Sequence, residues 1–572
     1  MKKWVIAEKK SDDLIEQLLI NRKISSGQWQ SFLNLNYEID LHNPRLLNDA
    51  EISSQRILNA IDNKEKIGIF TDYDADGIPG AALLCDFLSD FGALKNFCYI
   101  PSRKEGYGLS KAAIDKMVDE KVNLLITIDS GITAKKEVEY AKSKNIDVII
   151  TDHHEIQEKF LPKAYGVINP KLSSKYPFKD LCGCGVIFKL CQMLSILRPE
   201  KVSPDRLKWY LDLVALSTIC DIVPLIGENR VLAKYGLIVM QKTRRIGLKE
   251  LYKVAGIEPL NINPYIVGFQ IGPRINAGGR LDNSLSAFEL LTCKNEEQAA
   301  KLASELNNLN VLRQKILSES LEKALEKVEK NRLADNKIIV VADEEWLPGI
   351  IGLIAGKLTE KFSRPTIVFG KEGDSFVGSA RSVTGLHLVD ALTEVADMLS
   401  HFGGHEKAAG LSLPEKNFDK FYEKILKIGS EKLSEEDLLQ RIHIDTEVKI
   451  SDIDYELYKK LVKLEPYGLG NPKPVFIAKN VTVSDSSLVG EGKHLRLKFV
   501  SKDKGQLKTI SGIGFNLGPE NNIKPNDKVD IVFNIDEDNW AIKNSYSKSL
   551  PKVQLKILDI RKSEQEKGNL SK

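Results

Sequence analysis

Three short apolar runs constrain the fold of this chain more than any other feature: Ile67-Gly68-Ile69-Phe70-Thr71, Leu124-Leu125-Ile126-Thr127-Ile128 and Val148-Ile149-Ile150-Thr151. Helical stretches such as Ala112 to Glu120 and Ala134 to Lys144 separate them. Continuous apolar strands alternating with helices predict a parallel sheet covered on both faces. Each run also ends in groups able to meet a cation. Asp72-Tyr73-Asp74-Ala75-Asp76-Gly77 comes after the first, Asp129-Ser130-Gly131 after the second and Asp152-His153-His154 after the third. Parallel strands share one carboxyl edge, where open α/β sheets place their ligands, so these side chains are expected to converge there.

The first cluster carries three negative charges at alternate positions, an arrangement that repels itself unless cations sit among the oxygens. Gly77-Ile78-Pro79-Gly80-Ala81-Ala82 reads as a helix start, with Pro79 tolerated in the first turn. A calcium loop is excluded: Asp72, Asp74, Asp76 and Gly77 match its first half, but the twelfth position is Leu83 where a Glu is required, and a strand precedes the loop. A fourth site emerges from the apolar helical run Leu211 to Cys220, which delivers Asp221; a buried Asp there needs a partner. Together Asp72, Asp74, Asp76, Asp129, His153 and Asp221 offer five carboxylates and one imidazole, with Asp152 and His154 beside them. Oxygen-rich ligands with an occasional imidazole suit Mn2+ or Mg2+; two ions are expected, manganese preferred. Paired ions of this kind activate water and stabilise both entering and leaving oxygens, which implies hydrolysis of a phosphate ester or anhydride.

Further along, Gly272-Pro273-Arg274-Ile275-Asn276-Ala277-Gly278-Gly279-Arg280 reads as a Gly-rich loop whose two guanidinium groups suit bidentate contact with phosphate oxygens, or else as a solvated surface loop. From Glu296 to Leu333 the sequence is charged, periodic in Leu, Ala and Ile, and free of Gly and Pro, which predicts a long helix joining two lobes. A second α/β unit comes next, containing Gly378-Ser379-Ala380-Arg381-Ser382 and Gly403-Gly404-His405, both read as small-residue loops suited to close approach of a phosphodiester; His405 is equally open to a structural role. Beyond 440, short alternating strands with Gly, Asn and Asp turns predict a small β-barrel of the oligonucleotide-binding type. Its Tyr467, Phe476 and Phe499 either stack on bases or fill its core.

A chain of 572 residues, 42% hydrophobic, can fill several cores. With 82 basic and 79 acidic residues the net charge is +3, so no global field announces nucleic acid, and any basic surface is local. Seven cysteines without paired spacing argue against a disulfide framework, and Cys182-Gly183-Cys184 reads as close packing of small residues rather than half a zinc site. The charged N-terminus and the lack of a long apolar run point to a cytoplasmic protein with no membrane contact.

The ordered motifs from Asp72-Tyr73-Asp74-Ala75-Asp76-Gly77 through Asp129-Ser130-Gly131-Ile132-Thr133, Asp152-His153-His154, Asp221-Ile222-Val223-Pro224-Leu225 and Gly272 to Arg280 to Gly403-Gly404-His405 resemble the DHH phosphoesterase superfamily and, within it, the bacterial RecJ exonucleases. Departures are small: Pro79 stands where these proteins usually have Thr, and Cys182 and Cys184 take small-residue positions. The resemblance implies an α/β architecture: an N-terminal segment (1–50) packing on a DHH parallel-sheet domain (51–295), a connecting helix (296–333), a second α/β, DHH-associated domain (334–435), an OB-fold barrel (440–560) and a polar tail (561–572). It also implies degradation of single-stranded DNA from the 5′ end to mononucleotides in recombination and repair, by a monomer working with a helicase and a single-strand-binding protein. Asp72, Asp74, Asp76, Asp129, His153 and Asp221 would then ligate metal, His154 would contact the scissile phosphate, and Asp152 would orient the histidines. Arg274, Asn276, Arg280, Ser379, Arg381 and His405 would hold the substrate. The rival readings are another DHH hydrolase acting on short oligonucleotides or cyclic dinucleotides, which would lack the barrel, and a non-catalytic DNA-binding relative, which would have lost metal ligands.

Overall fold

The computed structural model describes residues 2–93, 96–106, 108–156, 158–281, 284–503, 506–519, 522–538 and 552–563. The chain divides into two compact units, one comprising 42–223 and 235–440, the other 2–41, 224–234 and 441–572. Among the described residues no helix is long and apolar enough to cross a membrane.

The first unit begins with a wholly parallel five-stranded sheet. Its order is Asn96–Tyr99, Ile67–Thr71, Leu124–Ile128, Asp147–Thr151, Gly166–Ile168. The three apolar runs are its central strands, and Ile67–Thr71 and Leu124–Ile128 are buried at every position. The two edge strands are short, which is why periodicity did not reveal them. Phe70, Ile114, Met117, Leu125 and Ile150 build a core on one face. Register sets the geometry of the carboxyl edge: Thr71 pairs with Ile128 and Ile128 with Thr151, so the next residues, Asp72, Asp129 and Asp152, leave the sheet side by side. Strand spacing of about 4.8 Å then brings their carboxylates to one edge.

The helix Glu296–Lys330 runs for 35 residues, opening on an Asn295 cap and closing with Lys327 and Lys330 in its last turn. It leads into a mixed five-stranded sheet in the order His401–Gly404, Ala408–Pro414, Ser375–Arg381, Thr366–Glu372, Ile339–Ala342, packed around Phe369, Phe376 and Phe421. The two small-residue stretches expected to be loops are β-structure. Gly378 to Arg381 end one strand, and His401–Gly404 turns back at His405 into Ala408–Pro414. At Gly378 a Cβ would come within 2.5 Å of the Phe369 ring, so its small size serves sheet packing.

The second unit is a barrel of five strands, Phe476–Val489, His494–Asp503, Gln506–Gly514, Val553–Lys562 and Lys528–Glu537, closed by pairing of the first with the last. Thr446–Glu447 adds a short parallel strand at Phe476–Ile477. Residues 2–41 belong here, not to the parallel-sheet domain on which the N-terminal segment was expected to pack. Lys3–Ile6 pairs with Arg441–Ile444, and Leu18, Leu19 and Phe32 join the barrel core. Buried Arg230 fastens the unit: its guanidinium lies 3.8 Å from the Phe32 ring and donates to the carbonyls of Phe32, Lys463 and Glu465. The last strand continues through Lys562, and the rest of the polar tail, 564–572, lies outside the described residues.

Candidate metal centre

The acidic loop is held open by backbone donors. Asp74 Oδ1 accepts the N–H groups of Asp76 and Gly77 at 2.9 and 3.0 Å. Asp76 is gripped from the far side: its Oδ2 accepts the N–H of Gly183 at 2.6 Å, its Oδ1 that of Cys184 at 2.8 Å, and Ser217 Oγ also donates to it. Gly183 and Cys184 open the helix Gly183–Leu197, whose amide-rich N-terminus suits an anion. The stretch read as plain packing therefore also positions a carboxylate. Asp129 has a left-handed backbone, φ +53°, a region that Asp and Asn enter more readily than most side chains.

His153 is the hub. Its Nε2 lies 3.1 Å from Asp129 Oδ1, 3.7 Å from Asp76 Oδ2 and 3.8 Å from Asp221 Oδ2. Among the described residues two groups have ligand atoms close enough to share an ion: Asp76, His153 and Asp221, and Asp129, His153 and His154. His154, expected to contact a phosphate, thus stands among the candidate metal ligands. Asp152 points elsewhere. Its Oδ1 accepts the backbone N–H groups of His153 and His154 and lies 2.8 Å from His154 Nδ1, while Oδ2 accepts from Ile132 N–H, so it braces the histidines. Burial would raise the Asp152 carboxyl, but its bonds to His154 hold it below the usual range.

The remaining carboxylates are frustrated. Burial and then Asp74 push Asp72 up to about 7; burial and then Asp76 and Asp74 push Asp221 up to about 9; Asp129 and Asp74 are raised by burial and by one another's neighbours. The buried Oδ1 of Asp72 makes no hydrogen bond among the described residues, and that of Asp129 makes none either, facing the His153 Nε2 at 3.1 Å. Orphaned buried oxygens, crowded like charges and one poised imidazole nitrogen fit hard divalent cations such as Mn2+ and Mg2+.

Cations line the other side. Gly272–Arg280, expected to be a loop, is a helix; at Gly279 a Cβ would lie 2.4 Å from the Tyr73 carbonyl, and Asn276 Oδ1 accepts the Ala75 N–H at 2.8 Å. Asn276 therefore acts on the acidic loop itself. Burial first, and then the like charges of Arg103, Arg313 and Arg381, hold the Arg280 guanidinium down to about 10. Arg274 donates to Asn307 and the Gln270 carbonyl, Arg280 to the Gly349 carbonyl, Arg313 to Asn310, and Arg381 to Ser379 Oγ and the Ala380 carbonyl. Among the described residues none of these guanidinium groups has a carboxylate partner. His405 is exposed; its N–H bonds the carbonyl of Ala408, which pairs with Arg381, so it shares that end of the sheet without joining the cluster. Arg103 and Arg313 were not anticipated. The visible signals were Arg103 coming after a strand at the site's edge, and Asn310 and Arg313 interrupting the apolar face of the long helix after Leu306.

In the barrel, Phe476 and Phe499 are core residues, and Tyr467 is largely buried with its hydroxyl on the Leu461 carbonyl. Among the described residues the exposed aromatic of the barrel is Phe515, with the His494 ring edge-on at 5.2 Å and Lys556 Nζ 5.6 Å from its centroid. Arg496 pairs across the sheet with Ile513, and Ile513 with Lys556, extending a basic face on the strands such barrels use for oligonucleotides.

Fold and site together define a metal-dependent hydrolase whose acidic centre lies beside a cluster of arginines. Family models match in chain order: the DHH family N-terminal domain over residues 66–218, the DHHA1 domain over 335–431 and the RecJ OB domain over 444–550. The chain is 36% identical over 557 residues to the single-stranded-DNA-specific exonuclease RecJ of Bacillus subtilis, covering 96% of this chain and 68% of that protein. Crystal structures of RecJ from Thermus thermophilus superpose with TM-scores of 0.80 for the Mn2+ complex (26% identity, 98% of this chain, 80% of that one) and 0.74 for the Mg2+ complex (25%, 98% and 79%). The chain belongs to the RecJ family of single-stranded-DNA-specific exonucleases.

Proposed function

We propose that the protein shortens single-stranded DNA from its 5′ end and releases 5′-mononucleotides, hydrolysing each phosphodiester at a site holding two divalent ions. The observation that carries this reading is the juxtaposition, in one unit, of crowded buried carboxylates with arginines that have no carboxylate partner among the described residues. Asp74 and Arg280 are near enough to influence one another, so a phosphate seated between them would meet cations on both sides once the acids are metallated. The ions would supply charge neutralisation and lower the pKa of water. Asp72, Asp74, Asp76, Asp129, His153 and Asp221 hold them. Asp152 fixes the ring of His154 through Nδ1, leaving Nε2 to face a phosphate oxygen. Arg274, Arg280, Arg381 and Ser379, joined by Arg103 and Arg313, bind phosphates, and those contacting a terminal phosphate set polarity. His405, at the rim, binds backbone further out. The barrel's Arg496, Lys556 and Phe515 track the strand by backbone contact and stacking.

The barrel argues against the alternative, a DHH-family phosphodiesterase for short oligonucleotides or cyclic dinucleotides, since such substrates offer nothing for that face to hold. In the cell the protein would act as a cytoplasmic monomer in recombination and repair, on strands exposed by a helicase and kept open by a single-strand-binding protein. The test is polarity. Oligonucleotides labelled at one end, with or without a 5′ phosphate, should lose nucleotides only from the 5′ end when Mn2+ is supplied. Erosion from the 3′ end would return the site to the alternative.

A further inference from the structure

Beside the metal centre, a continuous helical run extends from Pro264 to Arg280, with a π-helical turn at Val267–Ile271, a geometry often found at functional sites. Its inner face is clamped to the centre. At Gly272 a Cβ would meet Cys220 Sγ at 2.3 Å, at Gly268 it would touch Ile219 at 3.8 Å, and Asn276 and Gly279 press on the acidic loop. Ile219 and Cys220 end the helix capped by Asp221. The same run leaves Tyr265 64% and Phe269 69% exposed, stacked on each other with centroids 4.9 Å apart and planes at 27°. Ile222, next to Asp221, is 67% exposed and has φ +59°, rare for a β-branched side chain. Large apolar groups left in water beside a site forgo the stabilisation that burial gives and mark a surface meant to be covered.

We propose that Tyr265 and Phe269 form a stacking platform for bases of the strand on the 3′ side of the scissile phosphate, with Ile222 as its apolar margin. This rests on the reading of the protein as a single-strand nuclease and adds how it grips what it cuts. The occupant is indicated by continuity: the helix that braces the acidic loop through Asn276 carries the rings roughly 10 to 16 Å along its axis, at 1.5 Å per residue. Arg274, with no carboxylate partner among the described residues, stands five residues beyond Phe269 on the same run. An anionic polymer with a flat aromatic group at every repeat satisfies both, and stacking tolerates any base.

The test compares wild type with a Tyr265→Ala, Phe269→Ala double variant and with Phe269→Trp. Both rings are exposed, so the fold should survive their loss, and circular dichroism checks this. With Mn2+, the KM for a twenty-nucleotide oligothymidylate should rise about tenfold to a hundredfold in the double variant, the equivalent of one or two stacked bases, while Phe269→Trp retains the wild-type value. An abasic residue moved stepwise along the strand should weaken wild-type binding at one or two positions and have no effect there in the double variant. Equal KM and equal abasic sensitivity in both proteins would overturn the platform. So would a variant that differs only in self-association by sedimentation, since the rings would then be a protein contact. A wild type that releases no nucleotides would instead defeat the nuclease reading.

Discussion

Replacing Asp129 by Asn is expected to cut Mn2+-supported nucleotide release by about 10^3-fold, the scale of several kcal/mol of lost transition-state stabilisation, and yet to raise the melting temperature of the metal-free protein at pH 8. Asn accepts the left-handed backbone that Asp129 adopts, so geometry is kept and only the charge is removed. The stability gain comes from the crowding. Asp129 is raised by burial and by Asp76, Asp74, Asp152 and Asp221, and Asp72 and Asp221 reach about 7 and about 9. Carboxyls whose folded pKa exceeds the unfolded value contribute stability that is fully present below the unfolded value near 4 and is lost as pH rises through about 7 to 9. Metal-free protein should therefore melt progressively earlier from pH 5 to pH 9, Mn2+ should restore it, and Asp129→Asn should flatten the pH profile. A melting temperature that falls together with activity would mean a merely structural Asp129. Asp74→Ala should likewise abolish release while strand binding largely persists.

The second large effect is expected at a residue with no side chain. At Gly183 a Cβ would lie 2.5 Å from the Asp129 Cβ and 3.0 Å from its Cγ, while the Gly183 N–H holds Asp76. Gly183→Ala suits a helix start conformationally, so its penalty is steric and falls on Asp129, a proposed ligand. Nucleotide release should drop about 10^2- to 10^3-fold, with the fold intact by circular dichroism and Mn2+ affinity reduced in calorimetry. Wild-type activity in this variant would show that Asp129 is free to move and is not a fixed ligand.

Much of this was legible because the parallel sheet translates sequence into geometry. Three uniformly apolar runs could only be central strands, and register then forces Asp72, Asp129 and Asp152 to one edge. Asp221 was foreseen as needing a partner, and His153 is there. What stayed hidden depends on contacts distant in sequence. Glycines in Gly272–Arg280 looked like loop formers, whereas Gly272 and Gly279 are small because a helix presses on Cys220 and Tyr73. Cys182-Gly183-Cys184 looked like packing because its partner, Asp76, is more than a hundred residues away. The N-terminal segment joins the barrel because Lys3–Ile6 pairs with Arg441–Ile444, a match between edge strands that periodicity does not encode. Aromatic residues in the barrel were counted without their facing: alternation along the strands buries Phe476 and Phe499, and Phe515, just past a strand end, stays exposed.

The central claim, that acids scattered through the chain form one divalent-metal site for cutting single-stranded DNA, is tested most directly by locating manganese. Crystals grown with Mn2+ should show anomalous density among Asp76, His153 and Asp221 and beside Asp129, from a preparation that releases nucleotides and stops when the metal is chelated. Manganese lodged elsewhere, with those side chains bare in an active preparation, would contradict it.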